Sequence, residues 1–189
     1  KSPGFASLPL ARRAAALYAT ALASSQLRDF EGARAGARQL ADTVRADAAA
    51  LRQAQLLAAE IELAAGDANA ALQYLPAAHT KVPEKRPELL LRAQALLRSG
   101  RAADAVEVAE TLQTWVTTHP RDATAWQLLA SAWQAQGQAL RAIRAEAESF
   151  VAHYDYAAAV DPLQAAQNLA RKGGPGVDYT EASIIDARL

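Results

Sequence analysis

Apolar side chains recur at the three- and four-residue spacing of amphipathic helices, and short breaks divide the chain into a series of such helices. The breaks are Arg28-Asp29-Phe30, Gly66-Asp67-Ala68, Gly100-Arg101-Ala102 and Gly137-Gln138-Ala139. Their first residues are spaced by 38, 34 and 37 residues, which indicates a helical repeat. We therefore predict an all-α chain of about four to five antiparallel helix pairs, followed by one further helix.

Alanine occupies fixed places on both sides of every break. Five residues past the first residue of each break lie Ala33, Ala71, Ala105 and Ala142, and seven residues before it lie Ala21, Ala59, Ala93 and Ala130. Two antiparallel helices approach closely only where the facing side chains are small, so these alanines are predicted crossing points. At three of the breaks a glycine can adopt the left-handed conformation that ends a helix.

Prolines and aspartates mark where helices should begin, because both favour the first positions of a helix. The predicted starts of first helices are Pro9, Pro87 and Asp122. Near the C-terminus, Asp178 followed by Glu181 predicts a last helix after the glycine-rich break at 171–176. The predicted apolar face of this capping helix consists of Ala182, Ile185 and Leu189, with Ile184 beside them.

The repeat changes phase after Gly137. Asp155-Tyr156, followed by Ala159, has the pattern of another turn between helices, but it comes only about half a unit later. The segment 140–153 would then be the second helix of one pair and the first helix of the next. We expect irregular packing in this part of the chain.

One stretch carries a more specific pattern. Trp126, Leu129, Ala130, Trp133, Gly137 and Ala142 resemble the tetratricopeptide (TPR) pattern, and three weaker copies precede them. The resemblance implies a single TPR-like domain over residues 1–189. Its predicted units are 9–46, 47–86, 87–121 and 122–153, an irregular half-unit at 154–172, and a loop with a capping helix at 173–189.

Composition and charge argue against several classes of function. With 20 Lys+Arg and 20 Asp+Glu, the chain has no excess of positive charge to attract nucleic acid or an anionic membrane. With no Cys, it cannot form a disulfide framework, a thiolate zinc site or a Cys nucleophile. The apolar run at 14–23 is interrupted by Tyr18 and Thr20, so we interpret it as an ordinary helix and not as a signal peptide. We expect neither nucleic-acid binding nor membrane insertion.

The sequence contains no motif for catalysis. His79, His119 and His153 lie far apart and lack the His-Glu-x-x-His spacing of a helical zinc site. No Gly-x-Ser-x-Gly elbow is present, and the glycine-rich break lacks the spacing of a phosphate-binding loop. We expect no catalytic, cofactor-binding or metal-binding residue in this chain, and no enzyme activity of its own.

A binding surface is the remaining candidate site. In TPR arrays the inward side of the first helices forms a groove that binds peptides or partner helices, which the resemblance implies here as well. The corresponding residues form a mixture of apolar and uncharged polar side chains with few charges. They are Tyr18, Leu22, Gln26, Leu56, Glu60, Gln94, Arg98, Gln127, Ser131 and Gln134.

The last third of the chain carries a second resemblance. Trp126-Gln-Leu-Leu-Ala-Ser-Ala-Trp133, Tyr154-Asp-Tyr-Ala-Ala-Ala159 and, above all, the run from Glu181 to Arg188 are similar to the TPR half of BepA-like periplasmic zinc metallopeptidases of Gram-negative bacteria. In that family a His-Glu-x-x-His zinc domain precedes the TPR domain. The resemblance implies a non-catalytic domain that binds or positions substrate proteins or outer-membrane assembly proteins, or that docks on its own protease domain.

The resemblance further implies a periplasmic location and a zinc ion in an upstream protease domain. Because the sequence begins at Lys1 and contains no Met, we expect it to be a piece of a longer chain. The alternative is a TPR scaffold or assembly factor unrelated to proteolysis.

Overall fold

The computed structural model describes residues 4–76, 85–172 and 178–189, and within these ranges the chain is entirely helical, without a strand. The prediction of an all-α chain is confirmed. The helices of these ranges are α1 (Leu10–Gln26), α2 (Phe30–Thr43), α3 (Ala48–Ala65), α4 (Ala68–Gln73), α5 (Arg86–Arg98), α6 (Ala102–Thr118), α7 (Ala123–Ala135), α8 (Ala139–Ala152), α9 (Tyr156–Lys172) and α10 (Tyr179–Arg188). None of the described helices is both long and apolar enough to cross a bilayer.

The chain divides into two compact units, residues 1–95 and 96–189. In the first unit, α1 packs on α2, α2 on α3, and α3 on α4, while α3 also contacts α1. One core cluster joins α1, α2 and α3, and it includes Leu17, Leu40, Leu57 and Ile61. A second cluster joins α3 and α4 with the first turns of α5, and it includes Leu56, Ala59, Ala71 and Leu91.

The predicted turns have the expected backbone conformation. Gly66, Gly100 and Gly137 adopt positive φ angles of 88°, 70° and 71°. The same left-handed conformation occurs at Arg28 and Tyr154, both with φ of 63°, where the sequence has no glycine. Each of these residues lies directly between two consecutive helices.

Aspartates at N-cap positions begin six of the ten described helices. Each accepts a hydrogen bond from a backbone N–H of the helix that follows, and they are Asp29, Asp47, Asp67, Asp122, Asp155 and Asp178. These bonds satisfy donors that the first turn of a helix leaves without a partner. The predicted starts at Pro9, Asp122 and Asp178 are confirmed, and Pro87 lies in the first turn of α5.

In the second unit, α7 packs on α6 and α8, and α8 packs on both α7 and α9. The predicted phase change, in which the segment 140–153 serves two helix pairs, stays a prediction, because α2 also packs on both of its neighbours. The α10 helix packs on α9 and α8, and its Ile185 is fully buried with Ala159, Leu163 and Ala166 of α9.

One residue differs from the expectations, and two helices have notable details. Leu189, which we expected on the apolar face of the capping helix, is 50% exposed because α10 ends at Arg188. The α4 helix has only six residues and ends before Pro76. The α9 helix continues through Pro162, although proline cannot donate the helical hydrogen bond. The loop at 173–176 and His79 lie outside the described residues.

Candidate partner-binding groove

The local sequence gives α7 one buried face and one exposed face. Asp122 accepts a hydrogen bond from the Ala125 N–H at 3.2 Å and another from the indole Nε1 of Trp115 at 2.9 Å, which fixes the start of the helix. Trp126 and Leu129 are then buried. The opposite face carries uncharged polar side chains at i, i+4 and i+7 spacing, and they are Gln127, Ser131 and Gln134.

These three side chains line an open groove between α7 and α8 with a volume of about 320 Å³. All three are among the predicted groove residues, and they lie along one face of α7. Two of the predicted crossing alanines form part of the same surface, so small side chains leave the groove its depth. The complete lining is Gln127, Ala130, Ser131, Gln134, Ala142, Ile143 and Glu146.

Among the described residues, the lining of the groove carries one formal charge. Glu146 is exposed on α8, and the described lining includes no basic residue. The Ser131 hydroxyl donates to the Gln127 carbonyl at 3.1 Å, so it is engaged with its own helix. The amide groups of Gln127 and Gln134 offer both donors and acceptors at the surface. This arrangement suits a ligand with polar backbone or side-chain groups and a positive charge.

The remaining predicted groove residues lie in other settings. Tyr18, Leu22 and Gln26 follow one another at four-residue spacing along α1; Tyr18 is 37% exposed, whereas Leu22 packs against the first core cluster. Gln94 is half-buried in the first unit, and Arg98 is exposed in the second.

On α3 the structure separates two of the predicted groove residues. Leu56 is only 7% exposed and packs with Ala59 and Leu63, so its side chain belongs to the core and not to a binding surface. Glu60 is at the surface, but neighbouring side chains partly shield it from water, and this desolvation raises the pKa of Glu60.

Three ion pairs that sequence reasoning missed hold α10 against α8. Arg141 Nη2 donates to Asp178 Oδ2 at 2.8 Å, Arg144 pairs with Glu181, and Arg188 Nε donates to Glu148 Oε1 at 2.7 Å. The sequence carried one signal for these ion pairs, which is the equal spacing of their basic and acidic residues. Two arginines three apart on α8 meet two carboxylates three apart at the start of α10.

Two of these arginines also contact aromatic rings of α7. The Arg141 guanidinium lies 5.0 Å from the centre of the Trp133 ring, and that of Arg144 lies 5.8 Å from the centre of the Trp126 ring. Cation–π contacts of this kind favour a fixed ring position. Ion pairs therefore hold α8 against α10, and packing holds α8 against α7. The neighbouring helices thus keep the groove between α7 and α8 in a fixed shape.

The two described histidines have local partners. His119 stacks on Trp115 with ring centres 3.8 Å apart, and the Nδ1 of His153 lies 2.9 Å from the Ser149 carbonyl oxygen. Within the described ranges no three His, Asp or Glu side chains are grouped so that they could hold a metal ion.

In comparisons with known proteins, no family model and no curated sequence matches this chain.

Proposed function

We propose that this chain is a non-catalytic protein–protein interaction domain with TPR-like architecture. The groove between α7 and α8 carries the proposal, because it joins small alanines, neutral amides and a single carboxylate on a surface that the neighbouring helices hold in place. Concave surfaces with a few convergent polar groups are the usual sites of ligand binding.

We further propose that the domain serves an envelope zinc metalloprotease in the periplasm, as the likeness to BepA-like peptidases implies. In this proposal the chain needs no cofactor, and zinc belongs to a His-Glu-x-x-His domain encoded upstream of Lys1. The domain would bind or position substrate proteins or outer-membrane assembly proteins, or contact its own protease domain. The spacing around Trp126, Trp133 and Gly137, together with the run from Glu181 to Arg188, supports this reading.

Site-specific photo-crosslinking in living cells tests the interaction. A photoreactive amino acid at Gln127, Ser131 or Gln134 should yield covalent adducts with a distinct protein, because a bound partner lies within reach of these exposed side chains. The matched control is Thr114, which is exposed on α6 of the same unit and lies outside the groove. Mass spectrometry identifies the adducts.

Adducts at Thr114 that equal those at the groove positions would contradict a partner site between α7 and α8. The parent protein is a separate question with its own readout. A His-Glu-x-x-His motif in the coding sequence upstream of Lys1 is the expected result, and its absence would favour the alternative of a scaffold unrelated to proteolysis.

A further inference from the structure

The first and second units each contain a helix pair of the same design, and among the described helices a third one packs across both members only in the first unit. Aligning the two left-handed turn residues, Arg28 and Gly137, places Ala21 opposite Ala130 and Ala33 opposite Ala142. The pair α1–α2 thus corresponds to α7–α8. The floor of the groove has a counterpart in the first unit.

In the first unit a third helix covers this floor. The α3 helix contacts both α1 and α2, and Ala21 and Ala33 are completely buried. The residues that α3 contributes to the shared core recur at i, i+3, i+4 and i+7, the spacing of one helical face. They are Ala54, Leu57, Ala58 and Ile61.

In the second unit the helix that follows the pair, α9, does not pack across both of its members. The α9 helix packs on α8 and α10, and among the helices that the structure describes it makes no contact with α7. Its buried apolar side chains, Ala159, Leu163 and Ala166, pack in the cluster around Ile185. The place that corresponds to α3 is therefore the groove itself, in which Ala130 is only half-buried.

The charged residues that face α3 in the first unit differ from those in the groove, and this difference favours one kind of partner. Arg34 pairs with Glu62 of α3 in the first unit, and its counterpart in the groove is Ile143. Ala37, which is buried in the same cluster as α3, has the exposed Glu146 as its counterpart. An acidic helix thus loses its partner in the groove, whereas a basic side chain gains one.

We propose that the groove between α7 and α8 docks an amphipathic helix of a partner protein that carries small and apolar residues at i, i+3, i+4 and i+7 and a Lys or Arg facing Glu146. This inference rests on the proposed interaction function and names the class of partner. Helix-in-groove docking gains its affinity from the apolar positions, and the charge pair sets specificity and orientation.

Two labelled peptides test the inference by fluorescence anisotropy against the whole chain. The first has the sequence of α3, residues 48–65, and the second is the same peptide with Glu62→Lys. Since Ile143 lies one helical turn before Glu146, a lysine at that peptide position lies close to the carboxylate. We expect the lysine peptide to bind about two- to fivefold more tightly, the range of one surface charge pair.

A charge swap provides the decisive control. Glu146→Lys should reverse the preference between the two peptides, and Ser131→Trp should abolish the binding of both by filling the groove. Glu110→Lys, at an exposed glutamate of α6, makes the same change of net charge and should leave the preference unchanged. The urea midpoint of each variant verifies that it is folded.

Binding that is insensitive to Ser131→Trp would overturn the inference, because the peptide would then be replacing α3 in the first unit. The absence of binding by either peptide, or groove-dependent self-association of the chain in sedimentation, would also overturn it. Groove-specific crosslinks obtained without peptide binding would contradict the helical partner alone and leave the interaction function intact.

Discussion

The residue that joins two helices of a pair adopts a left-handed conformation, with φ of 88° at Gly66 and 63° at Arg28. A Cβ atom added at Gly66 would meet no other heavy atom within 4 Å, so any effect of adding one comes from the backbone. We predict that Gly66→Ala lowers the free energy of unfolding by roughly 1–2 kcal/mol, the cost of a left-handed L-residue. Urea denaturation followed by far-UV circular dichroism measures it.

Arg28 provides the matched control, because an L-residue already occupies the left-handed position there. Arg28→Ala should leave the urea midpoint nearly unchanged, and Arg28→Gly should raise stability by up to about 1 kcal/mol. Equal losses in Gly66→Ala and Arg28→Ala would show that side-chain contacts, and not backbone strain, govern these turns.

Single residues were predictable where one physical rule decides them. Gly66 was predicted as a left-handed helix end because glycine has no Cβ, and the burial of Ala21 and Ala33 follows from close helix approach. Leu56 was not predictable in the same way. Apolar residues on more than one side of the α3 helix are buried. Which side of that helix is exposed therefore depends on which other helices pack against it.

At the scale of elements, α10 depends on charges buried against α8. The side chains of Arg144 and Glu181 are only 12% and 6% exposed. Removing one partner of such a pair leaves an uncompensated charge and costs roughly 3–5 kcal/mol. We predict that Arg144→Ala releases α10 while the rest of the unit stays folded, which hydrogen exchange at residues 179–188 would detect as a loss of protection.

A double change separates charge from packing. Arg144→Met combined with Glu181→Met removes both charges, and it should restore most of the protection of α10. The exposed pair of Arg45 and Asp42 is the reference, since Arg45→Ala should change stability by less than about 1 kcal/mol. Protection of α10 that survives Arg144→Ala would mean that Ile185 alone holds the helix.

The helices themselves were predictable, but the connection of α10 to α8 was not. Caps and apolar spacing are local, so Asp178 and the periodicity after it predicted the last helix. The ion pairs join residues 37 and 40 positions apart, which is beyond the reach of local periodicity. For the same reason, periodicity did not predict which faces of α8 would remain open as a groove.

At the scale of the whole molecule, the net charge is zero, but several carboxyl groups have shifted pKa values. Burial by itself would raise the pKa of Glu88 and of Asp104. The net pKa shift of both groups is nevertheless downward, because Arg52 donates a hydrogen bond to Glu88, and Ser99 and Arg101 donate to Asp104. A hydrogen bond from a backbone N–H and one from Arg141 also lower the pKa of Asp178. Such groups favour the folded state in their ionised form.

These shifts predict how stability depends on pH. A carboxyl group whose pKa is lower in the folded state contributes stability above its unfolded pKa of about 4, and this contribution is lost as the pH falls through the folded value. Glu60 acts in the opposite direction, since its raised pKa means that the folded state takes up a proton first. Between pH 7 and 5 the urea midpoint should therefore hold or rise slightly, and below about pH 4 it should fall steeply.

Two variants assign the two phases of this profile. Glu60→Gln should remove the slight rise and leave the acid limb in place, because Glu60 is the one carboxyl group with a resolved upward pKa shift among the described residues. Asp104→Asn should make the acid limb shallower and lower stability at pH 7, where the ionised carboxylate contributes fully. A midpoint that declines steadily from pH 7 in both variants would contradict the assignment of the two phases to Glu60 and Asp104.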